Sequence, residues 1–292
     1  MDQNPILFEF QSGFHLNGLF WATSLQPEDR GAANRVIEDL ATFFEKISLP
    51  FQVFEPRNSA DFIEYLDHLV TLARCGARPI LHIDMHGSKH NGLQIGTTGE
   101  YVPWKSVFEK FRAINIETQN NFCVVATVCF GTNILNGLDV RKATPFYMLI
   151  APPHTISSAF IEDRIRKFYC EVFGGKSFIK PYKQHLAEAM ELFHSEKALL
   201  TILARYVRDS CRGKGGDARR EYLLTGLINR GFQNDRKSRR IYRKSIKTMI
   251  KPTQRLIDDC VSTFLMGRPV SFGIADVQQV ANRISSTPER RD

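Results

Sequence analysis

Apolar positions in the first 175 residues switch repeatedly between a helical period and short runs of strand length. From Glu28 to Ile47, Ala32, Ala33, Val36, Ile37, Leu40, Phe43 and Phe44 return every three or four residues, which predicts an amphipathic helix. The same period predicts helices at Ser59 to Ala73, Trp104 to Ile114 and Ala159 to Phe173. Strands are predicted between them at Ile6 to Phe10, Gly18 to Ala22, Phe51 to Phe54, Pro79 to Asp84, Asn121 to Val128 and Phe146 to Ile150. Gly92 to Gly96 and Glu100 to Pro103 read as a hairpin. Repeated β-α-β order predicts an α/β domain with a mostly parallel, helix-covered sheet, whose ligand sites lie beyond the carboxyl ends of its strands.

The pattern then changes. Leu186, Met190 and Phe193, followed by Leu199, Leu200, Leu203 and Val207, keep to helical spacing. Arg212 to Asp217 reads as an exposed loop, with more helix around Tyr222 to Ile228, Ile241 to Ile250 and Leu256 to Leu265. The turn-rich Gly174-Gly175-Lys176-Ser177, with Pro181 close behind, sets an expected boundary: residues 1–178 as the α/β domain, and 179–292 as a small, mainly α-helical one. The tail, Ser285 to Asp292, is polar and expected to fray.

Charge follows the same division. The chain of 292 residues carries +8 overall, but the residues up to Lys180 balance at −2 and those from Pro181 onward at +10. The densest stretch is Arg236, Arg239, Arg240, Arg243, Lys244 and Lys247, which reads either as a solvated helix face or as an electrostatic site for nucleic acid, a nucleotide or another anionic partner. At 43% hydrophobic and 24% charged, the composition excludes disorder and collagen. The six cysteines, Cys75, Cys123, Cys129, Cys170, Cys211 and Cys260, lie far apart without CxxC pairs, which argues against a zinc knuckle or a disulfide framework. The amino terminus has no basic leader region and no apolar run approaches a membrane span, so a cytoplasmic protein without membrane contact is expected.

Two strand ends carry chemistry. One runs Leu81-His82-Ile83-Asp84-Met85-His86-Gly87, and the other runs Val124-Val125-Ala126-Thr127-Val128-Cys129-Phe130-Gly131. A thiol and an imidazole at the tips of neighbouring parallel strands would face one cleft, and Cys with His suffices for covalent acyl transfer. Gly87 after His86, and Gly131 two residues beyond the thiol, leave room for substrate backbone and for an N–H pointing at a developing oxyanion. The other five cysteines read as small core residues. A competing reading is a metal-dependent hydrolase, because His82, Asp84 and His86 project to one face of a strand and His90 follows four residues later.

The ordered context resembles the caspase-type cysteine peptidases. A hydrophobic strand ending in His86-Gly87 is followed by the glycine hairpin from Gly92 to Gly99, the Tyr101-Val102-Pro103 turn and the Trp104 to Phe108 helix, as in that family. Upstream, Gly31 to Leu40 followed by strand Phe51 to Phe54 is similar to its first helix and second strand. Downstream, Cys129-Phe130-Gly131 is similar to its Cys-x-Gly. The likeness spans about residues 5–175 and implies a caspase-like fold, a Cys129/His86 endopeptidase, peptide or protein substrates, no cofactor, and a second copy of the chain as a partner through an edge strand near Phe146 to Ile150.

Departures from the family shape the expected specificity. Caspases hold a substrate aspartate with an arginine after the first strand and a glutamine two before the nucleophile; Ser24-Leu25-Gln26 and Thr127 stand in those places. Metacaspases and paracaspases have an aspartate where Thr127 stands. Glu28, Asp29, Asp84 and Asp139 are the candidates for a negative pocket, which favours a basic P1 residue. Arg141-Lys142, Arg212 to Arg220 and Arg236 to Lys247 then become candidate self-cleavage segments. The interval from Cys129 to Phe146 is short, so the resemblance implies activation by a ligand or partner, as in stand-alone prokaryotic immune effectors.

Overall fold

A computed structural model describes Phe10, residues 13–175 and residues 177–286. All of the strand expected at Ile6 to Phe10 except Phe10 itself, and most of the polar tail, therefore lie outside the described residues, as does Lys176 of the expected boundary. The chain divides into two compact units. One comprises the described residues from 13 to Ser195 with Thr263–Arg268, and the other Glu196–Ser262 with the described residues from Pro269 onward.

The first unit is an α/β fold. Its elements are β1 (Gly18–Ser24), α1 (Arg30–Ile47), β2 (Phe51–Phe54), α2 (Ser59–Arg74), β3 (Pro79–Ser88), β4 (Gly92–Gln94), β5 (Tyr101–Val102), α3 (Trp104–Glu117), β6 (Cys123–Ala126), β7 (Met148–Ala151), α4 (Ser158–Gly175), a short α5 (Ile179–Pro181) and β8 (Glu191–His194). The strands lie in the order β2-β1-β3-β6-β7-β8; the first five are parallel and β8 is antiparallel to β7. The β4–β5 hairpin grows from the end of β3.

Each face of the sheet is sealed by the helices whose periodicity announced them. Leu81, Ile83 and Met85 of β3 pack with Phe62, Leu66 and Leu69 of α2 and with Val107, Phe111 and Ile114 of α3. Ile80 of the same strand joins Val36, Leu40 and Phe44 of α1 and Ile165, Phe168 and Val172 of α4. Full burial of one such side chain stabilises by about 1.5–3 kcal/mol, so these two layers outweigh any surface ion pair in holding β3 in register.

Three expectations are corrected. The Leu186, Met190, Phe193 spacing does not form one helix: a π-turn occupies Tyr182–Leu186 and β8 follows, because the otherwise open edge of β7 offers a ladder from Met148↔His194 to Ala151↔Glu191. That pairing keeps residues 179–195 with the sheet, so the units divide at Ser195 and not at 178, and it leaves β7 interior, with β2 and β8 as the edges of the main sheet.

The third correction lies in the second unit, which contains α6 (Ser195–Ser210), α7 (Gly213–Asn229), α8 (Arg236–Met249), α9 (Gln254–Phe264) and α10 (Ile274–Ser286), with the outer ends of α6 and α9 counted in the first. Arg212 to Asp217 is not a loop beyond Gly213, which opens α7. A Cβ on Gly215 would stand 1.9 Å from the Asp209 carbonyl oxygen, so the glycines that read as a breaker instead let α7 start hard against the end of α6. No described helix is long and apolar enough to cross a membrane.

Candidate active site

The strand order places a topological switch point between β1 and β3: the chain leaves β1 towards β2 on one side, while β3 lies on the other. Loops at such a point part and open a crevice at the carboxyl ends of the strands. His86 stands at the end of β3 on one side of it, and the Pro27–Asp29 turn that follows β1 stands on the other.

Register brings the second tip alongside. β3 and β6 pair in parallel from Ile80↔Cys123 to Ile83↔Ala126, and the Thr127 N–H donates to the Ile83 carbonyl at 2.9 Å, one step past the end of β6. Beyond that point the two chains touch at Gly87. A Cβ there would lie 2.1 Å from the Cys129 carbonyl oxygen and 2.4 Å from Cγ1 of Val128, so the absent side chain is the space that Cys129 occupies.

Cys129 is half-buried at a sharp reversal. Phe130 takes the left-handed conformation at φ 60°, unusual for a residue with a bulky side chain, and its N–H donates to the His154 carbonyl at 3.0 Å. The Gly131 N–H closes the turn on the Val128 carbonyl at 3.0 Å. Across the gap, the Asn133 side-chain amide donates to the Lys89 carbonyl at 2.8 Å, tying the turn after Cys129 to the hairpin that follows His86.

His86 has a partner that spacing along the chain does not announce. Its Nε2 lies 3.0 Å from Oδ2 of Asp29, with both side chains close to half exposed. A carboxylate only accepts, so Nε2 carries the proton in this contact and Nδ1 is the nitrogen left for chemistry. Arg30 Nε donates to the Leu25 carbonyl at 3.0 Å and so holds the loop that carries Asp29.

Beneath this tip, four residues back on the same face, His82 is fully buried. It stacks on Trp21 at 3.5 Å, with Nδ1 2.8 Å from the Tyr169 hydroxyl and Nε2 3.1 Å from Oγ1 of Thr127. Burial pushes its pKa well below the ordinary value, so it is neutral, and one ring nitrogen donates while the other accepts. Thr127 also lies 3.1 Å from the Ile83 carbonyl and 3.3 Å from Oδ1 of Asp84. Asp84 is buried between the two histidines in sequence; desolvation pushes its carboxyl up to about 6, against the opposing pull of the Thr127 hydroxyl and of the charge on His86.

The remaining candidates are scattered. Glu28 is exposed in the turn beside Asp29. Asp139 lies in the loop after Gly137 and is bound by Arg141 Nε at 2.9 Å, and this hydrogen-bonded guanidinium holds its carboxyl down at about 2. His90 is exposed at the hairpin turn. The four residues His82, Asp84, His86 and His90 do not form a metal site: both His82 nitrogens are taken by hydroxyls, and among the described residues no group of three His, Cys, Asp or Glu side chains is placed to hold an ion. All six cysteines are free; Cys123 is buried, whereas Cys75 is exposed at the end of α2 and is not a core residue.

No protein-family model matches this chain, and no curated protein matches it either.

Proposed function

We propose that the protein is a caspase-like cysteine endopeptidase in which Cys129 is the nucleophile and His86 the general acid and base. The observation that carries this reading is the contact at Gly87: two parallel strand ends, one bearing an imidazole and the other a thiol, are packed against each other at the residue that lacks a side chain. The hairpin that follows His86-Gly87 directly supports this reading, since the resemblance expects one there.

In this mechanism Nδ1 of His86 takes the Cys129 thiol proton and the thiolate attacks the scissile carbonyl carbon. The carbonyl electron pair moves to oxygen, where the Gly87 and Cys129 N–H groups receive it; the Phe130 N–H is already committed to His154. Collapse of the tetrahedral species breaks the C–N bond, and the amine leaves with the proton from His86. Water then gives a proton back to His86 and attacks the thioester, releasing the acid and the thiolate. Asp29 holds the imidazole by Nε2 through both steps.

The P1 preference is for Arg or Lys. Asp84, buried four residues short of the end of β3, carries the Thr127 hydroxyl and no ion pair among the described residues, which makes it the acid we assign to a basic P1 side chain, while Asp29 is engaged by His86 and Asp139 by Arg141. Residues 130–147 hold a 3₁₀ turn at Gly131–Gly137 and a short loop, which leaves no long cleavable linker. Activation by a ligand or partner in the cytoplasm, and a role as an immune or cell-death effector, follow from that feature together with the resemblance.

The test is a fluorogenic peptide panel varied at P1 (Arg, Lys, Asp, Asn, Leu), with wild type beside Cys129→Ala. Cleavage after Arg or Lys that falls about a thousandfold or more in the variant is the expected result. Turnover that survives in Cys129→Ala overturns the assignment.

A further inference from the structure

The densest run of positive charge in the chain plays no part in that chemistry. It lies on α8, whose Asp235 cap accepts the Lys237 and Ser238 N–H groups at 2.8 and 3.0 Å. At 100° per residue, Arg236, Lys237, Arg240, Lys244 and Lys247 fall within about 100° of arc, and all five are exposed. A separate arc is spent on packing: Tyr242, Ile246 and Ile250 meet Leu223, Leu224, Leu227 and Ile228 of α7, while Ile241 and Met249 stay exposed. The arginines flanking the stripe are occupied, Arg243 by both Glu221 oxygens at 2.8 Å and Arg239 by Asn234 at 2.6 Å. The five in the stripe make no side-chain hydrogen bond or ion pair among the described residues, and α8 contains no acid.

Such a helix repels itself. Arg236/Arg240 and Arg240/Lys244 are like charges at i,i+4, and Lys237/Arg240 and Lys244/Lys247 at i,i+3, each pair costing about 0.2–0.5 kcal/mol. The Asp235 cap and the α7 packing hold the helix against that repulsion. We infer that the α8 stripe is a binding surface for the phosphate backbone of a nucleic acid.

Its shape selects that class of partner. From Lys237 to Lys247 the stripe runs about 15 Å along a convex helix, enough to face about four phosphates at the 3.4 Å spacing of one strand. A small phosphate ligand needs donors that converge in a hollow, whereas these diverge along a line. A membrane surface needs a continuous free apolar face beside the cations; Tyr242, Ile246 and Ile250 are covered by α7, and Ile241 and Met249, the exposed apolar residues of α8, stand about two turns apart and form no such face. With base edges untouched by a row of lysines and arginines, binding is independent of sequence and sensitive to salt.

The experiment uses the full chain, fluorescein-labelled 20-nucleotide single-stranded DNA and 20-base-pair duplex of scrambled sequence, and anisotropy across a salt series. The expected result is micromolar binding at 50 mM salt that weakens steeply as salt rises. Arg240→Gln/Lys244→Gln/Lys247→Gln should weaken binding tenfold or more and lower the log–log salt slope by about 1 per charge removed. Lys46→Gln/Lys105→Gln/Lys142→Gln removes the same charge from exposed sites on the other unit and should change both far less. Circular dichroism checks the helices, and the single reversal Lys244→Glu gives a second reading if the triple variant loses structure. Absence of binding at 50 mM salt, equal losses in both triple variants, or tighter binding to vesicles containing 30% phosphatidylserine than to either nucleic acid overturns the inference.

Discussion

His82 and His86 sit on one strand, on one face, a single residue apart from Asp84 on either side, and have opposite fates. At His82 the sheet is sealed by α1 and α4, Trp21 covers the ring, and both nitrogens are spent on hydroxyls. At His86 the strand has left its cover, one nitrogen is held by Asp29 from the β1 loop, and the residue after it touches the backbone of Cys129. The same side chain is structural where desolvation keeps it neutral and fully bonded, and chemically available where the strand ends at the crevice. Depth along a parallel strand, more than residue type, assigns the role.

The sharpest way to break that comparison is at its buried end. His82→Ala removes a stacked ring and strands the Tyr169 and Thr127 hydroxyls, so the unfolding free energy of the α/β unit should fall by about 3–5 kcal/mol in denaturant titrations. A loss below about 1 kcal/mol would mean that the buried network contributes little.

Asp84 lies between the two regimes and titrates accordingly. Its folded carboxyl is raised to about 6 from an ordinary 3.8, so between those values the native state binds more protons than the unfolded one, and stability falls as pH rises. At about 1.4 kcal/mol per pH unit the loss totals about 3 kcal/mol, complete by about pH 7. Asp84→Asn should abolish that slope and be the more stable form, relative to wild type, at pH 7 than at pH 4. Parallel stability curves for the two proteins would show that Asp84 ionises normally.

The smallest effect on the fold is expected at the exposed end. Asp29 and His86 are close to half exposed, where an ion pair contributes about 0–1 kcal/mol, so Asp29→Asn should leave the unfolding transition where it is. Its effect belongs in catalysis: about tenfold in kcat with KM unchanged, partly restored in Asp29→Glu. An unchanged kcat would reduce the Asp29 contact to a surface pairing.

Much of this was legible in the residues. The alternation of helical and strand periods from Gly18 to Phe173 matches the observed elements in order, because each helix has one sheet face to cover and each central strand two helical layers to meet. His86-Gly87 and Cys129 stood out because glycine beside a reactive side chain signals close backbone approach, and the structure brings those two tips together. Less legible were features that depend on distant segments. β8 has helical spacing but an open sheet edge to fill. Gly215 reads as a breaker yet serves a tight helix junction. Thr263–Arg268 returns to the first unit across an intervening helical one, with the Phe264 carbonyl accepting from the Thr144 N–H at 2.9 Å and Arg268 lying 3.7 Å over the Tyr147 ring.

By itself, then, the sequence determined the α/β class, the succession of elements, the basicity of the helical unit and the two strand tips that carry His86-Gly87 and Cys129, since these follow from local periodicity, net charge and turn chemistry. Only the tertiary structure decided which histidine is buried, that Asp29 rather than a neighbour in sequence meets His86, and that five cations of α8 line up without a side-chain partner among the described residues while Arg239 and Arg243 have one. Those outcomes depend on which surfaces lose water and on contacts between residues as much as 57 positions apart for His86 and Asp29, and a single chain read by spacing carries no measure of either.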